Sequence, residues 1–447
     1  MKKLLLLVCT VFAQTITAQG TVTVCWEKIA GGFSTSCAIK TDGSLWMWGT
    51  YLMSEQIGPV MEVPEQIGAD TDWISIEGKE NSYFGIKSDG TLWGWGENTD
   101  GQLGNGTTTF TATPIQIGVD TNWKMVSPGW RFTLAIKTDG TLWEWGNNED
   151  NHFGNASYVN SLTPLQIGID SDWEIVSAGY DSGLGIKTNG SLWSWGVFVG
   201  TPDKSYHQIG TDTDWKSINC GYRHNGAIKA DGTLWTWGLN DFAQLGIGYY
   251  EAGDVVTVPT KINDDIWLDY KSGWYNSSAL RIDGTWWKWG QVVSEELILA
   301  SPIIVLEDND WVKVSMGQWL MMGIKNDGTL WGQGPNGFHQ LGIDFPPSDE
   351  LLTPMQLQGC NEVTTGLNDN TLTKITLYPN PTSSKLALAN AEYLNIESLT
   401  VTDMTGKLVL SQKGSNPEIN VEVLPAGIYF LNVSAQEGVQ HLKFVKE

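Results

Sequence analysis

Apolar and polar residues alternate over short runs in this chain, and the runs recur. Trp123 to Val126, Thr133 to Ile136 and Thr141 to Trp145 each show a period of two, which predicts short β-strands. Between the second and third stands Thr138-Asp139-Gly140. Gly tolerates positive φ there and Asp bonds to nearby backbone, so the triplet predicts a tight hairpin. A fourth strand follows a polar excursion, at Thr163-Pro164-Leu165-Gln166-Ile167, where Pro164 has no amide to donate and belongs at a strand start or an edge. The phrase after the hairpin, DGTLWEWG from Asp139 to Gly146, is written seven times. Its copies begin at Asp42, Asp89, Asp139, Asn189, Asp231, Asp283 and Asp327, each sixteen positions after a Trp: Trp26, Trp73, Trp123, Trp173, Trp215, Trp267 and Trp311.

A length of 447 residues ordinarily suggests several domains, but self-similarity at a period of roughly 40 to 50 residues marks a stacked or ring architecture whose units cannot bury their apolar faces alone. Four antiparallel strands repeated seven times predict an all-β fold, a seven-bladed β-propeller over residues 25–359. The tryptophans agree. Of the 24 in the chain, twenty occupy three positions per repeat, with Gln333 in place of the twenty-first, and Trp286 stands where other repeats have Leu. Rings that bury about 150 to 250 Å² each are best used between blades. Only Trp130, Trp274 and Trp319 are left over.

The stretch DGTLWGWGENTDGQLGNG, Asp89 to Gly106, resembles the repeat of the regulator-of-chromosome-condensation family, and the resemblance extends from Cys25 to about Gly359. It implies a seven-bladed propeller. The Asn-to-Gln-Leu-Gly turn of that repeat is present at Asn98 to Gly104, Asn240 to Gly246 and Asn336 to Gly342, altered at Asn148 to Gly154, and missing after Gly49, Gly196 and Gly290. The founding eukaryotic members exchange guanine nucleotides on a small nuclear GTPase and touch chromatin. A secreted acidic chain meets neither partner, so that activity is not expected here.

Residues 1–18 read as a secretory signal peptide: Lys2 and Lys3, an apolar run from Leu4 to Ala13, and small or polar residues by Thr17 and Ala18. No stretch approaches the roughly 20 apolar residues of a membrane helix, so no transmembrane anchor is expected. After a polar linker, 360–374, the register changes, and strands separated by turn residues predict a small β-sandwich over 375–447. Its opening Tyr378-Pro379-Asn380-Pro381-Thr382 and closing Lys443-Phe444-Val445-Lys446 resemble the C-terminal sorting domain read by the type IX secretion machinery of the Bacteroidota. That resemblance implies export through the periplasm to the outer-membrane surface or the exterior, with the secretion machinery as a partner.

A formal charge of -24 repels phosphate backbones, so nucleic acid is not an expected partner. The acids before each repeat Trp, such as Asp70 and Asp72, are spread around a ring rather than converging as a cation requires, and are read as turn residues. The five His are scattered, and the chain has no GxxxxGK[ST], GxSxG or HExxH. No catalytic residue, metal or cofactor is expected, and the chain is read as a monomeric non-enzyme.

The candidate contact surface rests on the leftover tryptophans. Trp130, Trp274 and Trp319 all fall in the loop between the first and second strands of a blade, with Phe33, Arg131, Tyr180, Asp181, Tyr222, Arg223, His224 and Tyr275 in equivalent loops. Such loops share one end of a propeller, and Trp, Tyr and Arg dominate binding hot spots. The function expected is a secreted or surface binding module for an extracellular protein or glycan. The alternative is a hydrolase or lyase acting on an extracellular polysaccharide. Cys25 and Cys360 occupy the same inter-blade connection at the two ends of the ring and are expected to form a disulfide, whereas Cys37 and Cys220 are expected to be buried and free.

Overall fold

The computed structural model describes residues 20–447 apart from 53–56, 150, 152, 155–156, 197–204, 294–296, 344–349, 366–375, 390–395, 404–406, 415 and 436–437. The signal peptide, His152 and most of the linker therefore lie outside the described residues. The chain divides into two compact units, one spanning Thr23–Asn361 and the other containing Glu362–Glu447. Strands make up both, and the described residues contain no α-helix.

In the first unit, seven four-stranded antiparallel sheets follow one another along the chain, at 26–66, 73–116, 123–167, 173–208, 215–261, 267–304 and 311–358. These are seven propeller blades, numbered here in that order. Blade 3 is typical: Trp123–Pro128, Phe132–Lys137, Leu142–Gly146 and Ser161–Ile167 pair in sequence, with Ala135 opposite both Val126 and Trp143. First strands line the central channel.

The recurring phrase has a hydrogen-bond explanation. Asp139 Oδ1 accepts from the Thr141 amide at 3.1 Å and its hydroxyl at 2.7 Å, and Thr141 Oγ1 accepts from Trp143 Nε1 at 2.9 Å. One carboxylate thus shapes the hairpin and, through the hydroxyl, satisfies the indole of the next strand. The relay recurs in every blade, with Asn189 in the acid's role in blade 4.

The second Trp of the phrase is fully buried and reaches the preceding blade. Trp145, Trp289 and Trp48 donate to the backbone carbonyls of Gln102, Gln244 and Gln340 at 2.8, 3.0 and 2.8 Å, and those glutamines sit in the three intact Asn-to-Gln-Leu-Gly turns. Where the preceding turn is altered or missing, the indoles differ: Trp195 donates to Glu144 Oε1 at 2.7 Å and Trp95 to the Met47 sulfur at 2.9 Å, whereas Trp237 Nε1 has no hydrogen-bond partner among the described residues. Blade 6 lacks the turn, and blade 7 is where Gln333 replaces the Trp, its amide donating instead to Leu352 O at 2.9 Å within its own blade. The one gap in the tryptophan series therefore lies across from a missing acceptor.

No strand is exchanged between the chain ends to close the ring. The seam between blades 7 and 1 is filled as the others are, by a core that includes Trp26, Trp48, Leu320, Met322 and Leu341. A disulfide joins Cys25 to Cys360 across it, Cα atoms 4.3 Å apart. Cys37 and Cys220 are free and buried. The linker range begins with a strand, Asn361–Thr365, which pairs with Gly20–Val24.

The second unit packs a three-stranded sheet and a four-stranded sheet around Leu386, Leu399, Ile419, Leu431, Val433 and Phe444, a β-sandwich. Its two terminal motifs meet: Asn380 Nδ2 donates to Lys443 O at 3.1 Å, Asn380 Oδ1 accepts from Val445 N at 3.0 Å, and Thr382 bridges to Lys446.

One residue expected on the loop rim is elsewhere. His224 opens the second strand of blade 5 and is 1% exposed, its Nε2 3.1 Å from Ser277 Oγ of blade 6. Successive strand side chains point to opposite faces, so Arg223 projects outward while His224 turns into the seam. Burial, with the Lys79 charge adding to it, brings its pKa down to about 3.

Two outcomes follow from the seam. Replacing Cys25 or Cys360 by Ser should lower the unfolding free energy by roughly 4 to 6 kcal/mol on the chain-entropy model, and dithiothreitol should bring the parent to the same level without affecting the variant. Chemical denaturation with and without reductant measures both. His224 is neutral when folded and takes up a proton near pH 6.5 when unfolded, so its contribution is complete above pH 6.5 and is lost as the pH falls toward 3. Against a His224→Asn variant, the parent should lose up to about 3 kcal/mol more between pH 7 and pH 4, read from denaturation curves at each pH.

Candidate functional site

The two ends of the ring are chemically different. At the end carrying the Asp-Gly hairpins, six blades hold a lysine between their first two tryptophans, and in blade 6 Arg281 lies over Trp287. Lys187 Nζ lies 4.9 and 5.0 Å from the Trp173 and Trp193 rings and pairs with Asp170 and Asp172 at 2.7 and 3.0 Å. Lys87, Lys229 and Lys325 repeat the arrangement. Burial works against the Lys187 ammonium, but its two aspartates outweigh that and raise its pKa. The acidic pairs are thus cation grips rather than plain turn residues. Among the described residues no three His, Cys, Asp or Glu side chains converge as a metal would require. The signal for the cage was present in the sequence: a Lys or Arg precedes every hairpin, and in six of the seven blades it stands seventeen positions after an acid, Thr23 holding that place before Lys40.

The other end carries the loops between first and second strands. Six of the seven contain a Gly six residues after the repeat Trp: Gly32, Gly129, Gly179, Gly221, Gly273 and Gly317. Here neighbouring blades touch backbone to backbone. A Cβ on Gly129 would lie 2.7 Å from Gly179 O, and one on Gly221 2.7 Å from Gly273 O. The following amides use the approach, Trp130 N donating to Gly179 O and Tyr222 N to Gly273 O, both at 3.2 Å. The glycines therefore draw the residues after them into one rim.

Those residues form a continuous arc across blades 3 to 7. Trp130 stacks on Tyr180 with centroids 4.1 Å apart, Tyr180 meets Tyr222 edge-on at 4.3 Å, and Tyr222 stacks on Trp274 at 5.1 Å. Tyr275 continues it to Trp319 at 5.9 Å, with Phe242 packed on Tyr275 at 4.6 Å. All are partly exposed. Arg131 lies over Trp130 at 3.9 Å and pairs with Asp100 at 3.6 Å; Arg223 lies 5.3 Å from the Tyr222 centroid and pairs with Asp181 at 3.7 Å. Phe33 stands apart from this arc and packs on Phe338 at 5.9 Å.

Blade 2 breaks the pattern. Lys79 replaces the Gly, and its ammonium donates to the carbonyls of Ala178 and Cys220, in blades 4 and 5, at 2.9 and 2.6 Å. Glu80 replaces the aromatic at φ 51°, a left-handed conformation uncommon outside Gly, and its Oε1 accepts from Trp274 Nε1 of blade 6 at 2.7 Å. These two side chains span the channel beneath the rim. The axial cavity they border measures about 350 Å³ and includes Glu77, Asp269 and Lys271 in its wall. Burial raises the Glu77 pKa, with Lys271 drawing it back, and Asp269 raises that of Lys271. Neither Lys79 nor Glu80 was singled out from the sequence, although the lost Gly marks the position once the repeats are aligned.

Models of the regulator of chromosome condensation (RCC1) repeat match residues 89–136 and 231–280, and also 73–102 and 215–244. The secretion system C-terminal sorting domain matches 376–447. No curated protein matches the chain. Among solved structures, Prp20p from Saccharomyces cerevisiae aligns with a TM-score of 0.62 at 17% identity, covering 75% of this chain and 88% of that one. A chain from the complex of Kap60 with yeast RCC1 (Prp20) gives 0.61 at 19%, covering 70% and 83%. Human WBSCR16 gives 0.58 at 20%, covering 76% and 95%. At such identities the likeness concerns the fold. The sorting domain marks the chain for type IX export to the cell surface or the exterior, and no helix among the described residues is long and apolar enough to cross a membrane. The chain carries RCC1 repeats within its propeller and a secretion system C-terminal sorting domain over residues 376–447.

Proposed function

We propose that this exported chain is a protein-binding module and that the aromatic arc is its contact surface. The observation that carries the reading is the continuity of the arc. Trp130, Tyr180, Tyr222, Trp274, Tyr275 and Trp319 come from five blades, yet each touches the next. Rings fixed by one another lose little freedom on binding, and partly exposed Trp, Tyr and Arg in a cluster have the composition of a protein hot spot.

The same stacking weighs against a glycan. Sugar rings bind by lying on an open aromatic face. Trp130 has Arg131 at 3.9 Å and Tyr180 at 4.1 Å, and two groups at such distances cannot share one face, so both faces are covered. Prp20p, with which the chain shares its propeller fold, binds Gsp1p and histones, which are proteins, and the fold is compatible with that mode of use. Catalysis receives less support. The rim acids Asp100 and Asp181 are paired with arginines, and Glu80 with an indole, rather than with one another.

Cross-linking on the surface of the producing cell, followed by mass spectrometry, tests the reading. Trp130→Ala and Trp319→Ala proteins, folded by circular dichroism, should lose at least about tenfold in affinity for a protein partner captured by the parent. Partners captured in the same yield by both variants would show that the arc is not the contact surface.

A further inference from the structure

Resting on that reading, we propose that the rim engages its protein partner through a carboxylate-rich segment, gripped by Arg131 and Arg223. The chain has 26 Lys and Arg, and only three are Arg. Arg281 fills the cage position of blade 6, where its Nη2 pairs with Asp265 at 2.6 Å. The other two both lie on the arc. Lys supplies charge everywhere else, so the two arginines stand where a planar, stacking, multiply donating cation differs most from a point charge.

Their exposure points outward. The Arg131 and Arg223 side chains are 44% and 47% exposed, while the acids beside them, Asp100 and Asp181, are recessed to 22% and 15%. The pairs themselves are loose, at 3.6 and 3.7 Å, beyond charge-assisted hydrogen-bond length. Each guanidinium has five donors, so one loose carboxylate leaves capacity for an incoming one. The stacking adds to this preference. With its faces covered, Trp130 presents its ring edge, which carries the positive end of the aromatic quadrupole. Guanidinium N–H groups, that ring edge and tyrosine hydroxyls form a donor-rich surface that complements carboxylates. The net charge of -24 opposes an acidic partner at long range, but at physiological salt that field is screened within about 8 Å, and contact chemistry decides.

Selection of a random phage-displayed peptide library on the full chain, at physiological salt, tests the proposal. Enriched peptides should carry Asp and Glu above their share in the starting library. Synthetic versions should bind an Arg131→Gln, Arg223→Gln double variant at least about tenfold more weakly, and a Lys124→Gln variant, altered at the opposite end of the ring, as tightly as the parent. Circular dichroism establishes that each variant is folded. Neutral or basic peptides, or acidic ones indifferent to the double variant, would overturn the acidic preference. If those peptides still depend on Trp130 and Trp319, rim binding of proteins stands without it. No enrichment, or binding indifferent to the tryptophans as well, removes both readings. Polygalacturonate held by the rim in place of any peptide would make the partner a glycan.

Discussion

An indole N–H buried in the seam between two blades can be satisfied by an acceptor on the neighbouring blade. In this ring the acceptor comes from the blade before, as the carbonyl of a turn glutamine for Trp48, Trp145 and Trp289. The bond therefore acts between units rather than within one. It ties a turn of one blade to the core of the next at three of the seven seams. Where the turn is altered, Glu144 accepts from Trp195 while remaining fully buried. Burial raises the pKa of that carboxyl well above its ordinary range, against the two hydrogen bonds it accepts from Trp195 and Tyr206.

That dependence explains how much of the fold could be read in advance. Asp139-Gly140-Thr141 and its six counterparts announce their hairpins, because the acid, the hydroxyl and the indole act within five residues of one another. Gln333 breaks the tryptophan count and bonds within its own blade; the turn is missing from the blade before it, but also from those before Trp95 and Trp237, so its absence permits the change without dictating it. The lysine cage went unread. Its acids belong to the connection before a blade and its lysine to the second strand within it, and their meeting depends on how the first strand folds back between them.

The rim was partly legible. Loop position brought Trp130, Tyr180, Tyr222, Trp274, Tyr275 and Trp319 together, since equivalent loops share one end of a ring. It failed at His224 by one residue, where the loop has already become strand and the side chain has crossed to the other face. It also missed Lys79 and Glu80, whose roles arise across the diameter of the ring, between blades that are not neighbours in sequence. Contacts of that kind leave no period in the sequence.

Every blade is built from four consecutive strands, and none is shared between the chain's beginning and its end. No blade is consequently assembled from both termini. A tandem duplication or a loss of one whole repeat would leave every surviving sheet with its four strands, although the bonds between blades, and those that Lys79 and Glu80 make across the channel, would have to be remade. A ring fastened by a strand borrowed from the other terminus lacks that freedom, because its first and last repeats must be inherited as a matched pair.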